Sequence, residues 1–209
     1  MSESITLYDL APSPNNGKVR IALNYKGLNY EKVPVNGADR STVIKISGQP
    51  LTPVLTHGDR VIFDSAAILR YLDGNFRDTP PLYSSNPDAM REIERWETIG
   101  RTEVMRPVGM MFGQFFQPAP DPQKLELANK LLHDATAKYE ERLSEASWLA
   151  GDAMSAADVT AAPPIFMGML THELGSRSRI HAFFAEHLKL GAGRKAVRAW
   201  ASRVMAYDR

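Results

Sequence analysis

The sequence of 209 residues contains no cysteine. Disulfide bonds, thiolate metal sites and cysteine nucleophiles are therefore excluded, and any thiol chemistry needs a thiol that arrives with a substrate. The five histidines show no ligand-like spacing, so we expect no metal site. Basic and acidic residues nearly balance, at 25 and 24, and no basic segment with interleaved aromatic residues indicates a nucleic-acid partner.

Long apolar runs are also absent. No stretch approaches the roughly 20 apolar residues that span a bilayer, and the most apolar segment, residues 161–170, contains Pro163 and Pro164. Residues 1–4 lack a basic stretch followed by an apolar run, which argues against a secretory leader. We therefore expect a protein with no membrane-spanning segment and a cytoplasmic location.

The chain begins with a strand–loop–helix pattern. Apolar periodicity predicts a strand over residues 5–10 and a helix over residues 14–26. Ser13 and Pro14 are typical of an N-cap and a first helical position, and Gly27 is typical of a helix end. The first turn of such a helix presents unpaired N–H groups and the positive end of the helix dipole, and these stabilise an anion such as a thiolate.

The pattern continues with a second strand over residues 30–35 and an irregular connection with a short helix over residues 36–50. A Thr52-Pro53 pair then precedes two apolar strands joined at Gly58-Asp59, which predicts a hairpin. Another capped helix follows this hairpin, and the resulting order is β-α-β-α-β-β-α.

Proline, serine and asparagine cluster at residues 78–87, which predicts a linker between a first domain, 1–77, and an all-helical second domain, 88–209. In the second domain, periodicity predicts five helices, at residues 88–116, 121–146, 155–171, 179–188 and 193–206. Ser155 and Asp158 have the spacing of a capping box, so we assign them structure and no chemistry. Pro163 and Pro164 are expected to kink or interrupt the third of these helices.

Four motifs occur in the order and spacing found in cytosolic glutathione transferases. They are the serine–proline corner at Ser13, Thr52-Pro53 before the hairpin, Asp64-Ser65 at a helix start, and the stretch from Trp148 through Asp158. The sequence resembles this family over nearly its whole length. The resemblance implies a thioredoxin-like α/β domain followed by an all-α domain, glutathione as co-substrate without a metal, and a homodimer.

The resemblance also implies which hydroxyl activates the sulfur of glutathione. In the serine-type classes the catalytic hydroxyl lies six residues before the valine of Val-Arg, and Ser13 lies six before Val19. Tyr8 is the alternative, one or two positions early for the tyrosine-type classes. Asn15 completes a Ser-Pro-Asn corner similar to the Thr-Pro-Asn of Nu-class proteins, in which the amide contacts the sulfur, with Asn16 a weaker substitute.

The remaining glutathione contacts are implied in the same way. Thr52-Pro53 resembles a Val-Pro pair with a cis proline, whose preceding residue pairs through its backbone with the cysteinyl unit. Asp64-Ser65 resembles the Glu/Gln-Ser pair that receives the γ-glutamyl end. Leu51 replaces a polar residue that often reaches the glycyl end, so Lys45 is expected to meet that carboxylate, with Arg40 as the alternative.

Methionine and phenylalanine crowd the end of the first long helix. Such a stripe is usually core, but relatives line their electrophile pocket from this helix, so we expect Met110, Phe112 and Phe116 to contribute to that pocket. The predicted function is conjugation of glutathione to a small, apolar electrophile. The alternatives are a Nu-class-type disulfide oxidoreductase and a non-enzymatic interaction protein similar to the stringent-starvation proteins.

Overall fold

The structure, a computed structural model, describes residues 3–175 and 178–209. Met1 and Ser2, the first half of the N-terminal stretch at residues 1–4, lie outside the described residues. The chain divides into two compact units: a first unit of Met1–Tyr83 with Tyr207–Arg209, and a second unit of Ser84–Ala206. The proposed linker, residues 78–87, spans the point at which the first unit gives way to the second.

The first unit is an α/β domain whose elements follow the predicted order. They are β1 (Ile5–Asp9), α1 (Pro14–Tyr25), β2 (Glu31–Pro34), α2 (Ser41–Ser47), β3 (Val54–His57), β4 (Arg60–Phe63) and α3 (Ser65–Asn75). The strands form one mixed sheet in the order β2-β1-β3-β4. Because β1 is parallel to β2 and antiparallel to β3, and β4 is antiparallel to β3, the thioredoxin-like fold is confirmed.

The register of the sheet brings three loops to one end of the strands, which we call the sheet edge. Tyr8 lies opposite Val54, and Val54 lies opposite Phe63. The segment after β1, the segment before β3 and the segment after β4 therefore leave the sheet at the same end. Ser13, Thr52 and Asp64 are on these three segments.

The core of the first unit lies between the sheet and helices α1 and α3, which pack together. Burial alternates along β1, so that Ile5, Leu7 and Asp9 face inward. The fully buried apolar side chains of this unit include Leu7, Ile21, Leu23, Leu55, Ile68, Leu69 and Leu72.

Helix α1 ends as the glycine predicts. Lys26 is the C-cap, and Gly27 has a φ of 67°, a left-handed conformation that costs glycine little because it has no Cβ. The N–H of Leu28 donates to the carbonyl of Leu23 at 3.0 Å, and the N–H of Gly27 donates to the carbonyl of Asn24 at 3.1 Å. These bonds satisfy carbonyls that the helix end leaves open.

The last residues of the chain pack on α1. Arg20 donates from Nη1 to Asp9 at 2.5 Å and from Nε to Asp208 at 2.6 Å, and Asn24 donates to the carbonyl of Tyr207 at 2.7 Å. Burial works against the charged guanidinium, but the hydrogen bonds and charges of Asp208 and Asp9 outweigh it and raise the pKa of Arg20. This ion-pair network explains why Tyr207–Arg209 belong to the first unit.

All regular elements among the described residues of the second unit are helical, as predicted. Its elements are α4 (Pro87–Ile99), a π-helical turn (Gly100–Val104), α5 (Met105–Phe115), α6 (Pro122–Glu145), α7 (Ala156–Phe166), a 3-10 turn (Met167–Met169), α8 (His172–Gly175), α9 (Arg179–His187) and α10 (Lys195–Met205). Within the described ranges, no helix is long and apolar enough to cross a membrane.

The single helix predicted over residues 88–116 contains a π-helical turn. The N–H of Met105 donates to the carbonyl of Gly100, five residues back. Pro107 has no N–H for the carbonyl of Glu103, so the regular α ladder cannot continue through this point. The sequence periodicity did not reveal this extra residue in the turn, since π turns occur mostly as single insertions in α-helices.

Helix α7 is not interrupted at its two prolines and runs on to Phe166, so the predicted interruption is wrong, while the alternative of a kink stays a prediction. Every residue from Ala156 to Ile165 is buried. Packing on all sides therefore outweighs the low helix propensity of Pro163 and Pro164.

Asp158 is a structural hub, as the capping-box interpretation predicts. It accepts hydrogen bonds from the N–H and Oγ of Ser155, both at 2.9 Å, from the N–H of Leu149 at 3.0 Å and from Nε1 of Trp200 at 2.8 Å. Burial raises the pKa of the Asp158 carboxyl, although these four donors oppose the shift. The carboxyl ties the start of α7 to α10 inside the second unit.

Candidate active site

Ser13 is the N-cap of α1, as the sequence predicts, and Pro14 occupies the first helical position. The backbone of Ser13 is extended, with φ of −140° and ψ of 120°. Its Oγ accepts from the N–H of Asn16 at 3.5 Å, a long bond, and its carbonyl accepts from the N–H of Gly17 at 3.0 Å. Because the hydroxyl acts as the acceptor in this cap, its own hydrogen remains available to donate elsewhere.

Asn16 links this corner to the rest of the edge. It is fully buried; its Oδ1 accepts from the N–H of Leu10 at 3.2 Å, and its Nδ2 donates to Oγ1 of Thr52 at 3.0 Å. Both ends of the amide are therefore occupied within the protein. The sequence pattern indicates Asn16 only as a weaker substitute for Asn15 and does not reveal this role. Asn16 is the third residue of the helix, the position at which capping boxes carry a glutamate or glutamine, and this position could have indicated its role.

Asn15 occupies the second helical position and is half-buried. Its Oδ1 accepts from the ammonium of Lys18 at 2.9 Å. Lys18 is itself 2% exposed, which is unusual for a lysine on a helix. The two asparagines of this turn thus have different surroundings, one joined to the sheet edge and one to a buried cation.

The peptide bond between Thr52 and Pro53 is cis, as the resemblance implies. Pro53 is buried and Thr52 is half-buried, so the backbone that precedes β3 lies partly open at the edge. Leu51, which precedes this pair, is 72% exposed. An apolar side chain with that exposure does not contribute to the core.

Asp64 begins α3 in an unusual conformation, with φ of 70° and ψ of 125°. It has the only positive φ among the described residues other than glycine. Its Oδ1 accepts from the N–H groups of Ala66 at 2.9 Å and Ala67 at 3.1 Å, and these bonds cap the helix. Non-glycine residues in such regions cost roughly 1–3 kcal/mol and cluster at functional sites. Ser65, the first helical residue, is buried.

Tyr8 and Lys45 have less specific surroundings. Tyr8 is half-buried within β1, paired between Val33 and Val54, rather than at a helix start. Lys45 is exposed in the last turn of α2, and the Nε of Arg40 donates to the carbonyl of Gly37 at 3.2 Å. The structure joins Ser13, Asn16 and Thr52 by hydrogen bonds and provides no such bond from this set to Lys45.

Two family models match most of this chain. The model described as "Glutathione S-transferase, N-terminal domain" matches residues 7–80, and the one described as "Glutathione S-transferase, C-terminal domain" matches residues 102–208. The chain belongs to the glutathione S-transferase family.

Individual relatives from this family are moderately similar. Glutathione S-transferase U22 of Arabidopsis thaliana is 26% identical over 162 residues, or 76% of this chain and 71% of the relative. Glutathione S-transferase Z2 of the same plant is 42% identical over 86 residues, or 39% of this chain and 38% of the relative. The crystal structure of a glutathione S-transferase domain-containing protein from Marinobacter aquaeolei has a TM-score of 0.74 at 28% identity and covers 96% of this chain and 97% of that one.

The second unit carries the residues that were predicted for the electrophile pocket of a glutathione S-transferase. The ring of Phe112 lies 4.8 Å from that of Phe184, whereas Phe116, at the end of α5, is 72% exposed and contacts Phe115. Met110 is half-buried, and its neighbour Met111 is fully buried in the core. The Met/Phe stripe therefore divides between core and surface.

In residues 3–175 and 178–209, no group of three or more histidine, aspartate or glutamate side chains has the geometry to hold a metal ion. The polar groups that the site does offer are hydroxyls, amides, backbone N–H groups and one carboxylate.

Proposed function

We propose that this protein conjugates glutathione to a small, apolar electrophile, with Ser13 stabilising the thiolate. The observation that carries the proposal is the placement of Ser13 as N-cap of α1 with its hydroxyl hydrogen unused by the cap. The sulfur loses its proton to solvent water, its lone pair forms the new bond to the electrophilic carbon, and the displaced electron pair leaves with the departing group or moves into the electrophile.

The thiolate gains from two effects at this corner. A cysteine-type thiol has a pKa of about 8.5, and each unit of depression corresponds to roughly 1.4 kcal/mol of preference for the thiolate. A hydroxyl donor and the positive end of α1 act on the same sulfur, and together supply one to a few such units. Tyr8, inside a strand, does not offer the second effect.

The other polar groups of the edge match the rest of the tripeptide. Thr52 offers its backbone N–H and C=O to the cysteinyl unit, a contact that tolerates threonine because only backbone takes part. The first-turn N–H groups of α3 and the hydroxyl of Ser65 receive the γ-glutamyl carboxylate. Both capping bonds of Asp64 end on Oδ1, so Oδ2 is the oxygen proposed to pair with the amine. Lys45 is proposed to meet the glycyl carboxylate.

The electrophile and the oligomeric state belong to the same proposal. Met110, Phe112 and Phe116 supply polarisable and aromatic surface that suits an apolar electrophile. A homodimer is proposed because Val61 and Phe63 are 41% and 47% exposed on β4, which is an edge strand of the sheet. A cytoplasmic location is part of the same proposal.

Asn15 favours a second candidate function, reduction of disulfides with glutathione. Its Oδ1 faces Lys18, so its N–H groups are turned away from that lysine and suit a sulfur acceptor. With no cysteine in the chain, both sulfurs of the exchange must come from ligands: a glutathione thiolate attacks the disulfide, one thiolate leaves, and a second glutathione completes the reduction.

Parallel calorimetric titrations with reduced glutathione and glutathione disulfide test these functions. Saturable binding of reduced glutathione, together with turnover of an aryl halide probe, is the result expected for the transferase. Preference for the disulfide, with turnover of a small disulfide probe and none of the aryl halide, favours the reductase. Binding of neither ligand overturns both and favours a non-enzymatic interaction protein.

A further inference from the structure

Lys18 is a buried cation in the second turn of α1. The residue is 2% exposed, and its ammonium donates to Oδ1 of Asn15, three positions back on the same helix face. Lysine side chains on helices normally extend into solvent, because burial of an ammonium is costly unless it is hydrogen-bonded. This buried ammonium lies in the turn of α1 that follows the serine–proline corner.

The contact fixes the orientation of the Asn15 amide. An ammonium carries only donors, so the oxygen of the amide must face it, and Nδ2 with both hydrogens must lie on the opposite side. Without Lys18, the amide can turn by 180° and exchange its donor and acceptor ends at little cost. Asn15 lies two residues after Ser13, in the first turn of α1.

We propose that Lys18 is a positioning residue of the glutathione site, which holds the Asn15 amide with Nδ2 directed at the sulfur. This inference rests on the proposed function, in which the thiolate lies at the N-terminus of α1. Ser13 and Asn15 then both donate to the sulfur. A reversed amide presents its carbonyl oxygen to the sulfur instead, and the partial negative charge of that oxygen repels the thiolate.

Asp9, Arg20, Asp208 and Asp64, the other charged groups described at this edge, have partners of their own. Asp9 and Arg20 face each other at 2.5 Å, and Asp208 binds the same guanidinium. The carboxylate of Asp64 caps α3 through Oδ1. The ammonium of Lys18 adds positive charge at the end of α1 where the thiolate is proposed. This charge stabilises the thiolate, as the donor bonds do.

Two single variants at Lys18, made in the full chain, test the proposal. Lys18→Met keeps the length and the apolar stem but removes the donor and the charge. We expect its kcat to fall about 10-fold while KM for glutathione stays within about 2-fold, because the lost bond acts on the charged sulfur. The thiolate absorbance of bound glutathione is expected to appear at a pH about one unit higher. Lys18→Arg keeps a donor and the charge, so both its kcat and the pH at which the thiolate appears should be close to those of the wild type.

The matched control is Lys26→Met. Lys26 is the other buried lysine of this helix, at its C-cap, where it pairs with Asp73 at 3.0 Å. Its loss is expected to lower the melting temperature without moving the thiolate titration. An equal rise of the thiol pKa in both methionine variants would mean a general loss of structure and would overturn the proposal.

Coupling to Asn15 decides whether Lys18 acts through that amide. In an Asn15→Ala background, Lys18→Met should cost less than about 3-fold further in kcat, since the amide it positions is gone. A full 10-fold loss in both backgrounds overturns the positioning role. Should Lys18→Met fail to fold, Asn15→Ala alone is decisive, because an unshifted thiol pKa in that variant contradicts the proposal.

Failure of this inference and failure of the proposed function give different results. If the wild-type protein does not bind glutathione, or Ser13→Ala leaves the thiol pKa unchanged, the proposed function is wrong. If Ser13→Ala raises the thiol pKa and Lys18→Met does not, only the role of Lys18 is wrong.

Discussion

Nδ2 of Asn16 donates to Oγ1 of Thr52 at 3.0 Å, across 36 residues of sequence. This bond joins the first turn of α1 to the residue that precedes the cis proline. The same amide accepts from the N–H of Leu10, so it also fixes the start of the loop that follows β1. Two of the three segments at the sheet edge are thus held by one buried side chain.

Asn16→Ala is therefore expected to lower the free energy of unfolding by about 2–4 kcal/mol, because it leaves the Leu10 N–H without this partner and removes buried packing. Thr52→Val, which is nearly isosteric, should cost about 1 kcal/mol. Urea unfolding of both variants and of the double variant measures the coupling, expected at about 1 kcal/mol. Strictly additive losses would show that the bond contributes nothing to stability.

Ser13→Ala is expected to lower kcat by roughly 10- to 100-fold, because a hydrogen bond to a charged acceptor contributes about 1.5–3 kcal/mol. Tyr8→Phe, which removes only a hydroxyl, is the matched control and should change kcat by less than about 2-fold. Titration of the thiolate absorbance of bound glutathione separates activation of the sulfur from simple positioning. A larger loss in Tyr8→Phe than in Ser13→Ala would transfer the role to the tyrosine.

Combined replacement of Asp64 and Ser65 by alanine is expected to weaken glutathione binding at least about 10-fold, since it removes a charge partner and a hydroxyl donor. Calorimetry with reduced glutathione measures the dissociation constant. The control is Asn86→Ala, which removes the N-cap of α4, a helix of the second unit, and should leave that constant unchanged. An unchanged constant in the Asp64/Ser65 variant would mean that the γ-glutamyl end binds elsewhere.

Replacement of Asp158 by asparagine should destabilise the second unit by about 2–4 kcal/mol, because an amide nitrogen cannot accept from the donors that now face the carboxylate. The loss is also expected to depend on pH. Since burial raises the pKa of Asp158 in the folded state, its stabilising contribution is full below the unfolded pKa and declines as pH rises through the folded pKa. Denaturant unfolding of both proteins at several pH values should therefore show a deficit that is largest in acid.

Features set by a few neighbouring residues could be predicted from the sequence. Ser13, Pro14 and Gly27 define both ends of α1, because caps act within one turn of the helix. The hairpin and the capping box at Ser155 are local in the same sense, and the structure confirms them. These local turn and cap positions were sufficient to predict the order of the helices and strands in the first unit.

Features that depend on distant partners were not predictable in this way. The role of Asn16 depends on Thr52, and nothing near Lys18 in the sequence distinguishes it from a solvated lysine. The π-helical turn before Pro107 requires knowing how one lost hydrogen bond is accommodated, and the continuation of α7 through its prolines requires knowing how tightly it is packed. For Asn16 and α7 tertiary contacts outweigh local preference, whereas the π-helical turn follows from the hydrogen bond that Pro107 cannot make.

The positive φ of Asp64 affects which residue is favoured at this position. Glycine adopts such a φ without a Cβ penalty and is only a few tenths of a kcal/mol worse than aspartate as an N-cap, so Asp64→Gly should leave the fold about as stable or more so. Under the proposed function, the same change removes the partner of the ligand amine. Folding and ligand affinity therefore make opposite demands on residue 64, and an aspartate there is the choice that favours affinity.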